Sequence, residues 1–201
     1  MTAPQTLIQI AGGSARIASW QEAALVIIDH QAEYTTGRVP LAGIDAAVAQ
    51  IAELLRQARA AGAPVIHVVH QSKPGAALFD PLGPGSAIIA GIEPLAGEVV
   101  VGKGLPNSFA GTTLDAELKK TGRQSLVIAG FATHMCVSAT TRSALDHGYA
   151  STVVAAACAT RELPDPLGGA PIAAADLQRA ALAELADRSA TVVADASALI
   201  G

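Results

Sequence analysis

The sequence predicts a three-layer α-β-α sandwich, Rossmann-like, around a mostly parallel central sheet of about six strands. Three observations lead there. Apolar runs without alternation recur at residues 23–28 (AALVII), 64–69 (PVIHVV) and 126–129 (LVIA), as in strands covered on both faces. Between such runs lie segments whose apolar residues repeat every three or four positions, the helical period. Strand and helix signals alternate, which points to parallel strands joined by helical crossovers. A chain of 201 residues suits one domain, 1–201, and no repeat, linker or low-complexity tract divides it. Hydrophobic residues make up 51% but aromatics only 3%, so Ala, Val, Ile and Leu must fill the core.

Taken in order, residues 6–17 (TLIQIAGGSARI) read as two short strands around Ala11, Gly12 and Gly13, a hairpin or an edge ribbon. Trp20, the single tryptophan, reads as a packing anchor. Ala23–Ile28 is the first central strand, ended by Asp29, and a polar loop follows to Pro40. Residues 44–61 form a helix, with Ile44, Val48, Ile51, Leu54, Leu55 and Ala58 on one face and Gly62 as its stop. Residues 64–69 are the second strand, ending near His70. Residues 71–95 are rich in Gly and Pro with little regular pattern, a long loop of the kind that is often functional. Residues 98–101 are the third strand, with Lys103 just past its end, and residues 112–121 a helix stopped at Gly122. Residues 126–129 form the fourth strand, broken at Gly130, and a helix starts at about Val137 and closes at Gly148. Residues 152–156 are a fifth strand, 173–187 a helix and 191–194 a sixth strand.

The net charge of −4, without a long basic run, argues against nucleic acid or an anionic membrane as partner. No apolar stretch reaches about 18 residues, so no membrane span is expected. The first 13 residues lack the positive region of a signal peptide. Two cysteines do not make a disulfide framework, and a reducing cytoplasm is the expected location.

Ligands bind outside the carboxyl ends of parallel strands. Asp29, His70, Lys103 and the turn bearing Cys136 all follow strand ends, so they are expected to share one site. Cys136 falls where a strand turns into a helix, beside unpaired N–H groups that favour thiolate and can bind an oxyanion. A carboxylate can take the thiol proton and an ammonium can support the anion. Singly, each residue has a plainer reading. The Asp can be a turn cap, the Lys a surface charge and the Cys a small buried hydrophobe. Cys158, just beyond an apolar strand, reads as packing.

Three blocks raise the combination above its parts: ALVIIDHQ, GKGLPNSFAGTTLDAEL and LVIAGFATHMCVSATTRSALDHGY. In order and spacing they resemble the signature blocks of the isochorismatase-like cysteine hydrolases, a superfamily with nicotinamidases, N-carbamoylsarcosine amidohydrolase, biuret and ureidoacrylate hydrolases and isochorismatases. The resemblance implies Asp29 as general base, Lys103 as catalytic lysine and Cys136 as nucleophile. It also implies a cis peptide between Phe131 and Ala132, with the Ala132 and Cys136 N–H groups as oxyanion hole. It further implies a homo-oligomer, dimer or tetramer. No cofactor is expected.

Nicotinamidases carry an Asp-x-His metal cluster after the second strand, and the matching segment here, His67-Val-Val-His70, has none. Three residues apart on a strand, His67 and His70 face opposite ways. No catalytic metal is expected. With Cys136 present, hydrolysis of a small amide, ureide or carbamoyl compound is the expected reaction. The alternatives are vinyl-ether hydrolysis by Asp29 without covalent catalysis, or a binding protein on the same scaffold. Tyr34, His70, Phe79, Phe109, Thr133 and His134 are the candidate pocket residues. Few of them are charged, which favours a small neutral carbonyl substrate.

Overall fold

A computed structural model describes residues 3–199 of the chain. Its centre is a six-stranded, all-parallel sheet in the order β3-β2-β1-β4-β5-β6. The elements follow one another as α1 (Leu7–Ile10), β1 (Ala23–Ile28), α2 (Ile44–Ala60), β2 (Val65–His70), β3 (Val99–Lys103), α3 (Leu114–Thr121), β4 (Ser125–Phe131), α4 (Ser138–Asp146), β5 (Ala150–Ala159), α5 (Ala174–Arg188) and β6 (Thr191–Val193).

All six residues of β1 are wholly buried, as its unbroken apolar run requires. Its side chains alternate between two cores. Ala23, Leu25 and Ile27 face α2, while Ala24, Val26 and Ile28 pack with residues of α3, α4 and α5. On α2 the inward stripe is Ala47, Ile51, Leu54, Leu55 and Ala58. Trp20 is buried under it and donates from Nε1 to Gln57 at 3.2 Å. From β1 the chain moves outward through β2 to β3, then returns to the other side of β1 as β4. The reversal makes the carboxyl ends of β1 and β4 the topological switch point, where open α/β sheets leave a crevice.

Four expectations are corrected. The segment expected as two strands is instead the short helix α1, with extended chain after it. Thr6 accepts from the Gln9 N–H and Gln9 reaches back to the Thr6 N–H, a capping box that outweighs the local apolar alternation. Lys103 is the last residue of β3 and not past its end. Gly130 does not break β4, which runs on to Phe131; the glycine has φ +120° and lies against the backbone of Ile28. β5 is longer than expected and contains Cys158. Its register against β4 jumps from Ile128–Val153 to Gly130–Cys158, so β5 bulges between them. The Gln178 side chain spans the bulge, donating to the Ala155 carbonyl within it at 3.5 Å and to the Cys158 carbonyl, where pairing resumes, at 3.2 Å.

Candidate active site

β1 and β3 are not neighbours; β2 lies between them. Two strand spacings are about 10 Å, and only a long side chain closes that distance. Lys103, 2% exposed, lies across the end of β2 and donates from Nζ to Asp29 Oδ2 at 2.7 Å. The same Nζ donates to Cys136 Sγ at 3.3 Å. His70 Nδ1, on the intervening strand, is 3.2 Å from it. Asp29, His70 and Cys136 offer atoms within 4.8 Å of one another, a spacing that suits a metal cluster, and the ammonium stands among them. The four residues expected at one rim of the sheet therefore meet.

Asp29 has φ +50°, a conformation uncommon outside glycine that turns the chain sharply off the strand. Its Oδ1 is buried without a hydrogen-bond partner. That free acceptor lies in a group which faces the thiol as well as the ammonium. Cys136 sits in a π-helical turn, Thr133–Val137, that leads from β4 into α4. The Ala132 carbonyl accepts from the N–H groups of both Met135 and Val137, at 3.0 and 3.2 Å. The Phe131–Ala132 peptide is cis, as the resemblance implied.

The electrostatics differ from the sequence reading. Burial, then the Asp29 charge, pushes the Cys136 thiol up to about 12, and the Lys103 ammonium only partly offsets this. The resting sulfur is therefore a thiol; desolvation outweighs the helix end expected to favour thiolate. Burial likewise raises Asp29 to about 6, against the pull of Lys103. Cys158 reaches about 12 through burial alone among raising causes, consistent with a packing role.

Of the pocket candidates, Tyr34, His70 and Phe79 form one wall. Phe79 has its ring centroid 5.3 Å from Tyr34 and 4.9 Å from His70. Burial holds the Tyr34 hydroxyl well above its usual value; the Asp29 and Cys136 charges add to this and Arg161 opposes it. Thr133 is buried and donates to the Ala159 carbonyl at 3.0 Å, tying the turn to β5. His134 pairs with the Thr160 hydroxyl and feels the Arg161 charge. Phe109 is a correction. It stacks on His147 at 4.5 Å and packs near Tyr149, at the far end of α4 from Cys136. The block containing it does serve the site indirectly: the Ser108 N–H donates to Thr140 Oγ1 on α4 at 3.0 Å.

Sequence reading missed the residues that hold the long loop. The Gln31 amide donates to the carbonyls of His70 and Ser86 at 3.0 and 2.9 Å and accepts from the His70 N–H at 2.7 Å. Glu33, 5% exposed, accepts from the Arg38 N–H at 2.6 Å and lies against Gly37 and Gly85. The signal was present, since AEY follows DHQ directly after a wholly apolar strand, but polar residues after a strand usually read as solvated loop. Glu33→Ala should cost about 1–3 kcal/mol by leaving buried N–H groups unpaired. A denaturation midpoint reads the loss, and an unchanged midpoint would show that the loop is held otherwise.

His67 and His70 do face opposite sides. Buried His67 bonds His30 at 2.9 Å and Glu98 at 2.9 Å, and Glu98 pairs with Arg59 at 2.8 Å. Arg161 was also missed: half-buried, it adds to burial in lowering the His134 imidazole and opposes the raising of the Tyr34 hydroxyl.

The isochorismatase domain family model matches residues 23–197. A secreted isochorismatase effector of Verticillium dahliae is 40% identical over 176 residues, 88% of this chain and 90% of that protein. A crystal structure of an isochorismatase from Pseudomonas putida KT2440 superposes with a TM-score of 0.93 at 42% identity, over 98% of this chain and 100% of that one. A maleamate amidohydrolase of Pseudomonas putida is 32% identical over 167 residues, 75% of this chain and 78% of that enzyme.

Proposed function

The chain belongs to the isochorismatase family of hydrolases, and on that footing we propose that it is a cysteine amidohydrolase cleaving a C–N bond of a small amide, ureide or carbamoyl compound. The observation behind this reading is the single ammonium of Lys103, within hydrogen-bond reach of both the Asp29 carboxylate and the Cys136 sulfur. The related maleamate amidohydrolase, an amide hydrolase by name, supports the bond type.

The resting thiol sets the order of events. As substrate binds, Asp29 takes the Cys136 proton while sulfur attacks the carbonyl carbon, and Lys103 offsets the charge as it leaves the sulfur. The carbonyl π pair moves to oxygen, which the N–H groups of Ala132 and Cys136 receive. When the C–N bond breaks, the leaving nitrogen takes the proton from Asp29 and a thioester remains. Water, deprotonated by Asp29, then attacks the thioester, and the acid departs with the thiol restored. The orphan Oδ1 of Asp29 is a place for that water.

Asp29 must start as carboxylate. Its value near 6 means that kcat/KM should rise about tenfold per pH unit below about 6 and level off above. A rate flat from pH 5 to 8 would remove Asp29 as the base. The covalent step is tested by screening small amides, ureides and carbamates and acid-quenching each reaction for mass spectrometry. An acyl mass on the peptide containing Cys136 is expected; turnover with no adduct under any quench would favour water attack assisted by Asp29 alone, the vinyl-ether type of chemistry.

Among the described residues no helix is long and apolar enough to cross a membrane. Both cysteines are unpaired. A reducing compartment such as the cytoplasm suits them, although the Verticillium relative is a secreted protein by name.

A further inference from the structure

His70 is paired in register with Lys103 on the neighbouring parallel strand, so its ring lies along the course the lysine takes toward β1. An ammonium has three hydrogens. Three acceptors surround this one: Asp29 Oδ2 at 2.7 Å, His70 Nδ1 at 3.2 Å and Cys136 Sγ at 3.3 Å. Because an ammonium cannot accept, Nδ1 must be bare and the ring proton must sit on Nε2. The ring is held in place. Gln31 grips the His70 backbone from both sides, and Phe79 covers the imidazole at 4.9 Å. Burial and the Lys103 charge lower His70 to about 4, so it is a neutral acceptor throughout the neutral range.

We propose that His70 is a positioning residue for Lys103: its Nδ1 holds the ammonium midway, so that the carboxylate does not draw it wholly away from the sulfur. Without that third acceptor, Nζ settles on Asp29, the charged and stronger partner, and withdraws from Sγ. The thiolate formed in the reaction then loses its cation. This catalytic consequence rests on the cysteine-hydrolase reading; the contact itself does not.

Two measurements on the full chain test it. Nitrogen-15 histidine NMR should find His70 as the Nε2–H tautomer, titrating near 4. Lys103→Met should raise that midpoint by about one unit or more. A wild-type Nδ1–H tautomer, or a midpoint indifferent to Lys103, overturns the contact. The second probe is iodoacetamide at fixed pH, with alkylation of Cys136 followed by mass spectrometry. His70→Leu should slow labelling by about tenfold, one unit of thiol pKa. His70→Asn, whose Oδ1 falls near the place of Nδ1, should recover most of the loss. Equal rates in His70→Leu and wild type, or no recovery in His70→Asn, overturn the positioning role. If the wild-type protein turns over none of the small amides, ureides and carbamates and no acyl mass appears on Cys136, the hydrolase reading is what fails, and the NMR result still decides the contact.

Discussion

Cys136→Ala is expected to lower turnover by at least about 10³-fold, because it deletes the atom that would carry the acyl group. The fold should survive. The side chain is small and replacement by alanine removes one buried sulfur, a loss of about 1 kcal/mol or less on the scale of a methylene-sized group. Cys136→Ser is the sharper comparison. A serine keeps the size and a proton for Asp29, but its oxygen is a poorer nucleophile at neutral pH and less tolerant of the same desolvation. Under the covalent reading Ser and Ala variants should both be nearly inactive, and Asp29→Asn should be inactive too. Asp29→Asn should also be less stable, by about 3–5 kcal/mol, since it leaves the buried Lys103 without its countercharge. If Cys136→Ser keeps most of its activity while Asp29→Asn loses it, water attack guided by Asp29 replaces the covalent step. If all three keep activity, the site lies elsewhere.

The parts of this molecule that were legible in the sequence are those where one physical demand dominates. β1 can be read residue for residue, because a strand covered on both faces admits nothing polar until Asp29. α2 is equally plain, with a single apolar stripe and a glycine stop at Gly62, φ +64°. Legibility fails where two demands compete. In α1, a capping box between Thr6 and Gln9 opposes an apolar alternation and wins. In β5, small residues at 155–157 look like the end of a strand but form the bulge that lets its pairing resume at Cys158. The site shows the same division. That Asp29, His70, Lys103 and Cys136 should converge was visible from strand ends alone. That Lys103 must arch over β2, which sets its ammonium against the His70 ring, needed the strand order, which periodicity does not contain. The protonation of Cys136 was misjudged for a related reason. A turn into a helix is visible in sequence, whereas the depth at which it sits is not, and here depth decides the charge.

Gly130→Ala should be the most damaging change of a single methyl group in the chain. Gly130 pairs with Ile28 across the β1–β4 junction, at the switch point between Asp29 and Cys136. Its φ of +120° is open to glycine and costly to any other residue. A Cβ there would stand 2.6 Å from the Ile28 nitrogen and nearer still to its carbonyl oxygen, and both are backbone atoms of a central strand. Neither can give way without parting β1 from β4. The expected loss is about 4 kcal/mol or more, in the range reserved for severe core defects. Gly148→Ala is the control. It has φ +87° but nothing within 4 Å of the added methyl, so only the backbone cost of about 1–2 kcal/mol applies. Urea denaturation of both variants separates the two causes. If they lose the same stability, positive φ explains both and close approach at Gly130 explains nothing. If Gly130→Ala folds but loses Cys136 labelling while Gly148→Ala keeps it, the glycine is needed chiefly to bring the two strand ends within reach of one ammonium.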